Sequence, residues 1–545
     1  MLLQLLLVTA LWIHGGQYQP PPDITLPELP EGVLAQPGFG PLQRFDPQAW
    51  EWWFEFNQEA VLDLRARLPA RAARRGAAWQ PVTDDDRLRL VMPRLVEALR
   101  DRNRDVRSAA TMALARLRIP DALGPVAIVA ESDRDLFVRT LAVLALGFSG
   151  RAEAVETLSR LYADTDLSEE VRSHAIVGLG LIGDAAALGV ISGALDEKAL
   201  AKQGNVLQAS VVYAAGLPRD GPLTTELLQL IGSHLLRREA QLRALAAVAL
   251  GQGGRPEAVP AVQALLSDDD SQVRRSAAMA LEALAPVLGE DVAAALVERA
   301  DDDNDLAVRL ALLRALGRSR TTAAREYLRP SLVDARYLHQ AHQALALGFD
   351  GEAADVAPLL ELLESTREPS LRSAIAIALG LLEADDAVEP IVALWEREQA
   401  PLPRGYLSLA VGLLDPRQGD AAVRLDEILR DTHDIEVIRL GTLGLGLLGA
   451  RDRLDALAAE LPAVPGVIER AARAFALGQV GDRRMLGPLL DLAGDPEEQP
   501  YVRAYALQAL ADLCDPRPLP PHGRLSRHVA LDHDVGFLFE FYRTL

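Results

Sequence analysis

Hydrophobic positions along this chain alternate between two textures. The first is an ordinary amphipathic helix: Ala258-Val-Pro-Ala-Val-Gln-Ala-Leu-Leu-Ser267 has apolar residues at helical spacing. The second is a helix that is apolar nearly all round, as in Phe137 to Phe148, Val206 to Gly216 and Leu371 to Leu382. A polar, often acidic turn separates them, as Asp268-Asp269-Asp270 does before the helix from Ser271 to Ala285. The pattern predicts a helical hairpin. In it, Asp answers the unpaired N–H groups at the start of the second helix and complements its dipole.

This hairpin recurs. Val138-Arg139 leads to Leu146-Gly147, Val171-Arg172 to Leu179-Gly180, Leu242-Arg243 to Leu250-Gly251, Val308-Arg309 to Leu316-Gly317, and Leu371-Arg372 to Leu379-Gly380. Looser copies stand at Val106-Arg107, Val273-Arg274, Val437 and Val502-Arg503. With the Gly or its equivalent as marker, successive copies lie 31 to 36 residues apart. That is a solenoid period, and the array is one continuous body rather than a string of globular domains. Asp135–Arg139, Asp270–Arg274 and Asp305–Arg309 are each four apart, which predicts an Asp and Arg ladder between neighbouring turns. Ala and Gly recur where second helices must approach each other, and the marker Gly is expected to end its helix without a Cβ penalty.

The unit Asp-x-x-Val-Arg-x-x-Ala-x-x-x-Leu-Gly resembles the HEAT repeat, particularly the short kind of phycobilisome-lyase-like proteins, over about residues 84 to 515. The resemblance implies an all-α, right-handed α-solenoid of about thirteen hairpins whose second helices line the concave side. It also implies a role mainly in scaffolding and protein binding, with a protein or peptide partner on that side. Val143, Ile176, Val212, Tyr213, Tyr337, His339 and His342 are the partner-binding candidates on these helices. An exposed helix keeps one polar face. Helices apolar all round therefore imply either close self-packing or a groove open to a peptide.

Some HEAT-like relatives are iron-dependent hydroxylases with His-Glu pairs on successive repeats, but no His-Glu dipeptide occurs here. Gly178-Leu-Gly180-Leu-Ile-Gly183 and Gly444-Leu-Gly446-Leu-Leu-Gly449 satisfy G-x-G-x-x-G. A dinucleotide site needs that run after a strand and opening a helix, whereas here it closes one. His339 and His342 are three apart without nearby carboxylates, and no metal or cofactor is assigned to them. The tail holds a denser set, His522, His528, Asp532 and His533, of types that metals accept, but at no structural zinc spacing. Cys514 is alone, so no intrachain disulfide forms, and no Ser stands in a nucleophile elbow.

The amino-terminal region is organised differently. Residues 1–16 open on an apolar run, Met1 to Ile13, of a length that suits an export signal and is short for a membrane span. A basic leader is missing, so a buried or interfacial start is the alternative. Residues 17–49 are Pro-rich and read as an extended linker. In residues 50–83, Trp50, Trp52, Trp53 and Phe54 open an aromatic helix. They are expected either to cap the open core of the first hairpin or to form a docking patch. Residues 516–545 are expected to form a loop and a capping helix after the array.

A net charge of −21 opposes a nucleic-acid surface, because phosphate binding depends on clustered Lys and Arg. The sequence thus predicts a non-catalytic protein-interaction scaffold, exported to the periplasm or cell envelope, with the cytoplasm as alternative. No transmembrane span is expected in the mature chain. The competing function is an enzyme on the same repeats, lyase-like or a metal-dependent oxidoreductase or hydroxylase.

Overall fold

A computed structural model describes residues 49–75, 79–218, 220–334, 337–415, 420–515 and 517. The expectations placed on residues 1–48, and on the tail with His522, His528, Asp532 and His533, lie outside the described residues. Every regular element among the described residues is a helix, and none is long and apolar enough to cross a membrane. Two helices, α1 (Trp50–Leu62) and α2 (Leu64–Arg74), precede the array. The second helices of the hairpins are α3 (Arg104–Leu117), α4 (Leu136–Phe148), α5 (Glu169–Ile182), α6 (Asn205–Gly216) and α7 (Ala240–Gly253). They continue as α8 (Ser271–Leu284), α9 (Leu306–Ser319), α10 (Tyr337–Asp350) and α11 (Pro369–Leu381). The last are α12 (Pro401–Leu414), α13 (Ile435–Leu447), α14 (Val467–Val480) and α15 (Pro500–Cys514). The first helices of the hairpins pack outside them and touch one another sparsely. The architecture is an all-α solenoid with α3–α15 as a continuous inner wall.

Small residues bring the inner helices together. A Cβ placed on Gly251 of α7 would lie 2.6 Å from the Ala280 Cα of α8, and one on Gly478 of α14 would lie 2.7 Å from the Ala509 Cα of α15. Gly251 and Gly478 are thus contact points inside their helices, not the ends of them. The turn out of the helix falls three residues later, at Gly183 (φ 65°) and Gly254 (φ 68°), where the left-handed conformation suits Gly. Arg118, Arg320, Glu383 and Asp415 hold that conformation at the equivalent step of other hairpins.

The Asp and Arg pattern resolves into two separate jobs. Asp135, Asp270 and Asp305 cap α4, α8 and α9 by accepting from backbone N–H groups. With those carboxylates engaged, Arg139 turns back to the Asp133 carbonyl at 2.6 Å, and Arg274 turns sideways instead of pairing within the helix. Arg274 reaches Asp303 of the next turn at 3.2 Å, as Arg107 reaches Asp133 and Arg243 reaches Asp268 at 2.8 Å. Asp305→Ala removes a cap and a bond to Arg275, and is expected to lower stability by about 1–2 kcal/mol in a denaturant titration.

The repeat pattern leaves open whether the two ends of the array meet, and in the structure they do. α15 packs along α3 as extensively as most inner helices pack on their neighbours. The ladder continues across this seam: Arg503 of α15 pairs with Asp101 ahead of α3 at 2.7 Å. Arg116 at the end of α3 pairs with Asp512 at 2.8 Å, and Arg118 with Asp515 at 3.1 Å. Arg483 pairs with Asp86, and its backbone N–H donates to the Gln80 carbonyl at 2.8 Å. The solenoid is therefore a closed ring in which the inner helices run in one sense, so their negative C-terminal ends gather on one rim.

The seam has two measurable consequences. Arg483, with Thr83 assisting, holds the Asp86 carboxyl well below the usual carboxylate range. Because that folded pKa is lower than the unfolded one, the stabilisation is complete above about pH 5 and is lost progressively as pH falls below about 4. Asp86→Asn is expected to flatten the fall of the denaturation midpoint over that acid range. Cys514 of α15 is buried, which pushes its thiol up to about 12. Its alkylation at pH 8 is expected to be about a hundredfold slower than that of a free Cys peptide. Rapid alkylation of the native protein would mean that the seam stands open.

Candidate functional site

The inner wall is occupied by the chain's own amino-terminal helices. α1 lies across α8 to α13. The Trp53 indole N–H donates to Glu282 at 2.9 Å, and its ring sits under Arg314 at 5.0 Å and beside Phe349 at 5.5 Å. Trp50 donates to Ser370 at 2.8 Å and packs its ring 4.6 Å from that of Tyr406, which Phe54 also meets edge-on. Trp50 and Phe54 are completely buried, and Trp52 and Trp53 are half-buried. The aromatic helix therefore does not cap the first hairpin. Closure sets α15 against α3, so no open hairpin core is left to cover.

Charge accompanies the aromatic contacts. Arg439 of α13 is buried between Glu55 of α1, at 2.5 Å, and its own-helix Glu436, at 2.6 Å. Burial opposes its charge, but Glu436 and Glu55 outweigh burial and hold the guanidinium above its ordinary value. Tyr406 donates to Glu55 at 3.2 Å, and burial first and Glu55 second push its hydroxyl well above the ordinary range. A buried node of Glu282, Arg314 and His342 backs Trp53, with Arg314 3.0 Å from Glu282 and from the His342 Nδ1.

α2 lies over the C-terminal rim and faces it with arginines. Arg71, 1% exposed, donates to the carbonyls of Gly412, of Leu413 at 2.6 Å and of Leu447 at 3.2 Å, so it caps α12 and α13 together. Arg75 reaches the Leu448 carbonyl and Asp415, Arg67 pairs with Glu383 at 3.0 Å, and Arg65 reaches the Asp512 carbonyl at 3.2 Å. Helix C-termini leave carbonyls without intrahelical partners, and a cation there also meets the negative end of the dipole. The sequence reading missed this staple. Its signal is Arg67, Arg71 and Arg75 at helical spacing, in a stripe beside Leu64, Leu68 and Ala72.

Five of the expected partner-binding residues do not present a surface. Val143, Ile176, Val212 and Tyr213 are buried at 3% exposure or less, packed within the wall. His342 is buried on Arg314, and His339 is half-buried. The Tyr337 side chain lies outside the described residues. The helices are apolar all round because both flanks meet close neighbours, so those buried residues face adjoining helices and line no groove. Among the described residues no three His, Cys, Asp or Glu side chains stand together as metal ligands.

On the opposite rim, two clefts open beside Arg404 and Arg372. One, of about 760 Å³, is lined by Trp395, Arg404, Glu427, Asp434 and Glu469 among others. The other, of about 450 Å³, includes Arg372, Pro390 and Glu398. At these places the ladder arginine holds no carboxylate among the described residues, and the buried Arg404 Nε makes no hydrogen bond there.

A closed helical solenoid with a self-occupied wall is the class of protein that this geometry defines. The family model for HEAT repeats matches residues 92–168, 225–317 and 302–380, and the chain carries HEAT repeats over those residues. Among solved structures, human deoxyhypusine hydroxylase in complex with glycerol is similar at 21% identity, over 48% of this chain and 96% of that one, with a TM-score of 0.23. The CpcE and CpcF complex of phycocyanin lyase from Nostoc sp. is similar at 21% identity, over 54% of this chain and 96% of that one, with a TM-score of 0.26. At those TM-scores neither likeness carries an argument about this protein. No curated protein sequence matches the chain.

Proposed function

We propose that this HEAT-repeat scaffold is non-catalytic and binds a helical segment of a protein partner on the inner wall of its ring. The observation behind this reading is the manner in which the wall holds α1 and α2. Aromatic anchors enter between inner helices, indole N–H groups meet Glu282 and Ser370, and arginines meet the rim carbonyls. These are the elements of helix-in-groove recognition, with Trp and Arg as anchors. No constellation among the described residues favours the enzyme alternative.

A labelled synthetic peptide of residues 49–76 tests the reading. It is offered to the full-length protein carrying Trp50→Ala, Trp53→Ala and Arg71→Ala, which loosen the resident helices. Saturable binding in the micromolar range or tighter is expected by fluorescence anisotropy. A variant that keeps its helical circular dichroism and binds no peptide would sink the proposal.

A further inference from the structure

We infer that α1 and α2 are a built-in competitor for the inner wall, covering it in cis until a partner helix of the same chemistry takes their place. This rests on the wall being the binding face. The partner it fits presents two aromatic side chains one helical turn apart, followed by arginines spaced four residues apart, as Trp50, Trp53 or Phe54 and Arg67, Arg71 and Arg75 do here.

Three observations separate this pair from the helices of the ring. The first is that the ion pairs of the seam are made by residues outside it. Arg503–Asp101, Arg116–Asp512, Arg118–Asp515 and Arg483–Asp86 join the ends, and α2 adds one bond there, from Arg65 to the Asp512 carbonyl. Release of the pair therefore leaves the seam's own ion pairs in place.

The second is the kind of contact. Inner helices meet backbone to backbone through Gly and Ala, as Gly251 meets Ala280 and Gly412 meets Gly444. α1 and α2 hold the wall through side chains, the buried rings of Trp50 and Phe54 and the polar tips of Trp53, Arg67 and Arg71. A competing helix with equivalent tips reproduces those bonds one at a time, whereas an interlocked inner helix leaves only by dismantling two joints.

The third is a place for exchange to begin. Trp50 and Phe54 are buried, but the end of α2 is open: Ala73, Arg74 and Arg75 are exposed, and the Glu383 partner of Arg67 is 49% exposed on its side chain. An incoming arginine-bearing helix can capture Glu383 and Asp415 at this rim before it displaces the aromatic anchors. The order is thus rim first and wall second.

Hydrogen exchange on the intact wild-type chain tests the release. Amides of α1 and α2 are expected to exchange together, about tenfold faster or more than those of α8 and α11, which form the wall beneath them. In the anisotropy assay, the peptide of residues 49–76 is expected to bind wild type about tenfold more weakly than the loosened variant, because the resident pair competes. Equal protection of α1, α2, α8 and α11, or equal peptide affinity for the two proteins, would overturn the competitor while leaving the wall as a receptor. A folded variant that binds no peptide would remove the receptor and the competitor together.

Discussion

Arg71→Met is expected to lower the stability of the protein by about 3 kcal/mol, since it strands carbonyls of Gly412, Leu413 and Leu447 at about 1–3 kcal/mol for each buried group left unpaired. Met keeps much of the side chain's volume and so hinders replacement by water, which a smaller residue would admit. Burial lowers the guanidinium's pKa, with Asp415 and Glu383 opposing, so the side chain is held in place by its carbonyl acceptors as much as by ion pairing. The measurement is a guanidinium chloride titration followed by tryptophan emission, because Trp50 and Trp53 sit on the same helical pair. A fall in midpoint with a red shift before global unfolding is the expected course. Arg75→Ala is the comparison: its side chain is 39% exposed, and exposed ion pairs contribute only about 0–1 kcal/mol. Equal effects of the two substitutions would contradict the capping role assigned to Arg71.

Gly251→Val is expected to be comparably damaging for a different reason. Its Cβ would stand 2.6 Å from the Ala280 Cα and 2.8 Å from the Ala280 Cβ, so α7 and α8 must move apart. Overpacking of this kind costs about 1–3 kcal/mol where the surroundings can yield. In an open solenoid the displacement would fan out toward a free end. In a closed ring it returns to the seam, so the upper part of that range is expected, with faster alkylation of Cys514 as its signature. Gly189, in the outer helix Ala185–Leu195, has nothing within 4 Å of its added Cβ. Gly189→Ala is therefore expected to stabilise by about 0.5–1 kcal/mol through helix propensity. Calorimetry of the two variants against wild type checks both directions at once.

The stranded carbonyls and the crowded glycine differ in how readily they could be read from the chain. The marker glycines announce close contact through their spacing alone, although the place of Gly251 inside its helix, and not at its end, emerges only when Gly254 is seen to make the turn. The acidic caps were equally legible, since Asp ahead of a helix acts within three residues. The arginines of the ladder were half legible: their recurrence predicted contact between turns, but the choice of Asp303 over Asp270 for Arg274 depends on where the next hairpin sits. Of the staple of α2 only the arginine stripe stands in the sequence; its acceptors were not legible, because Gly412 and Leu447 offer backbone atoms more than 300 residues away. Val143, Ile176, Val212 and Tyr213 were misassigned for a related reason. An apolar side chain on an inner helix has the same sequence signature whether it faces a groove or a neighbour.

What the sequence determined by itself is therefore the local unit: two helices, an acidic cap, a small residue at the joint, and their repetition from about residue 84 to 515. These follow from propensity, capping and periodicity, which act within a window of one hairpin. The tertiary structure decided that the array closes, that α15 meets α3, and that the amino-terminal helices lie against the wall instead of capping an end. Closure depends on the sum of small rotations over every joint, and a few degrees at each one separates a ring from an open coil. No single window carries that sum, and the wall that receives Trp50, Trp53 and Arg71 exists only once the joints have added up.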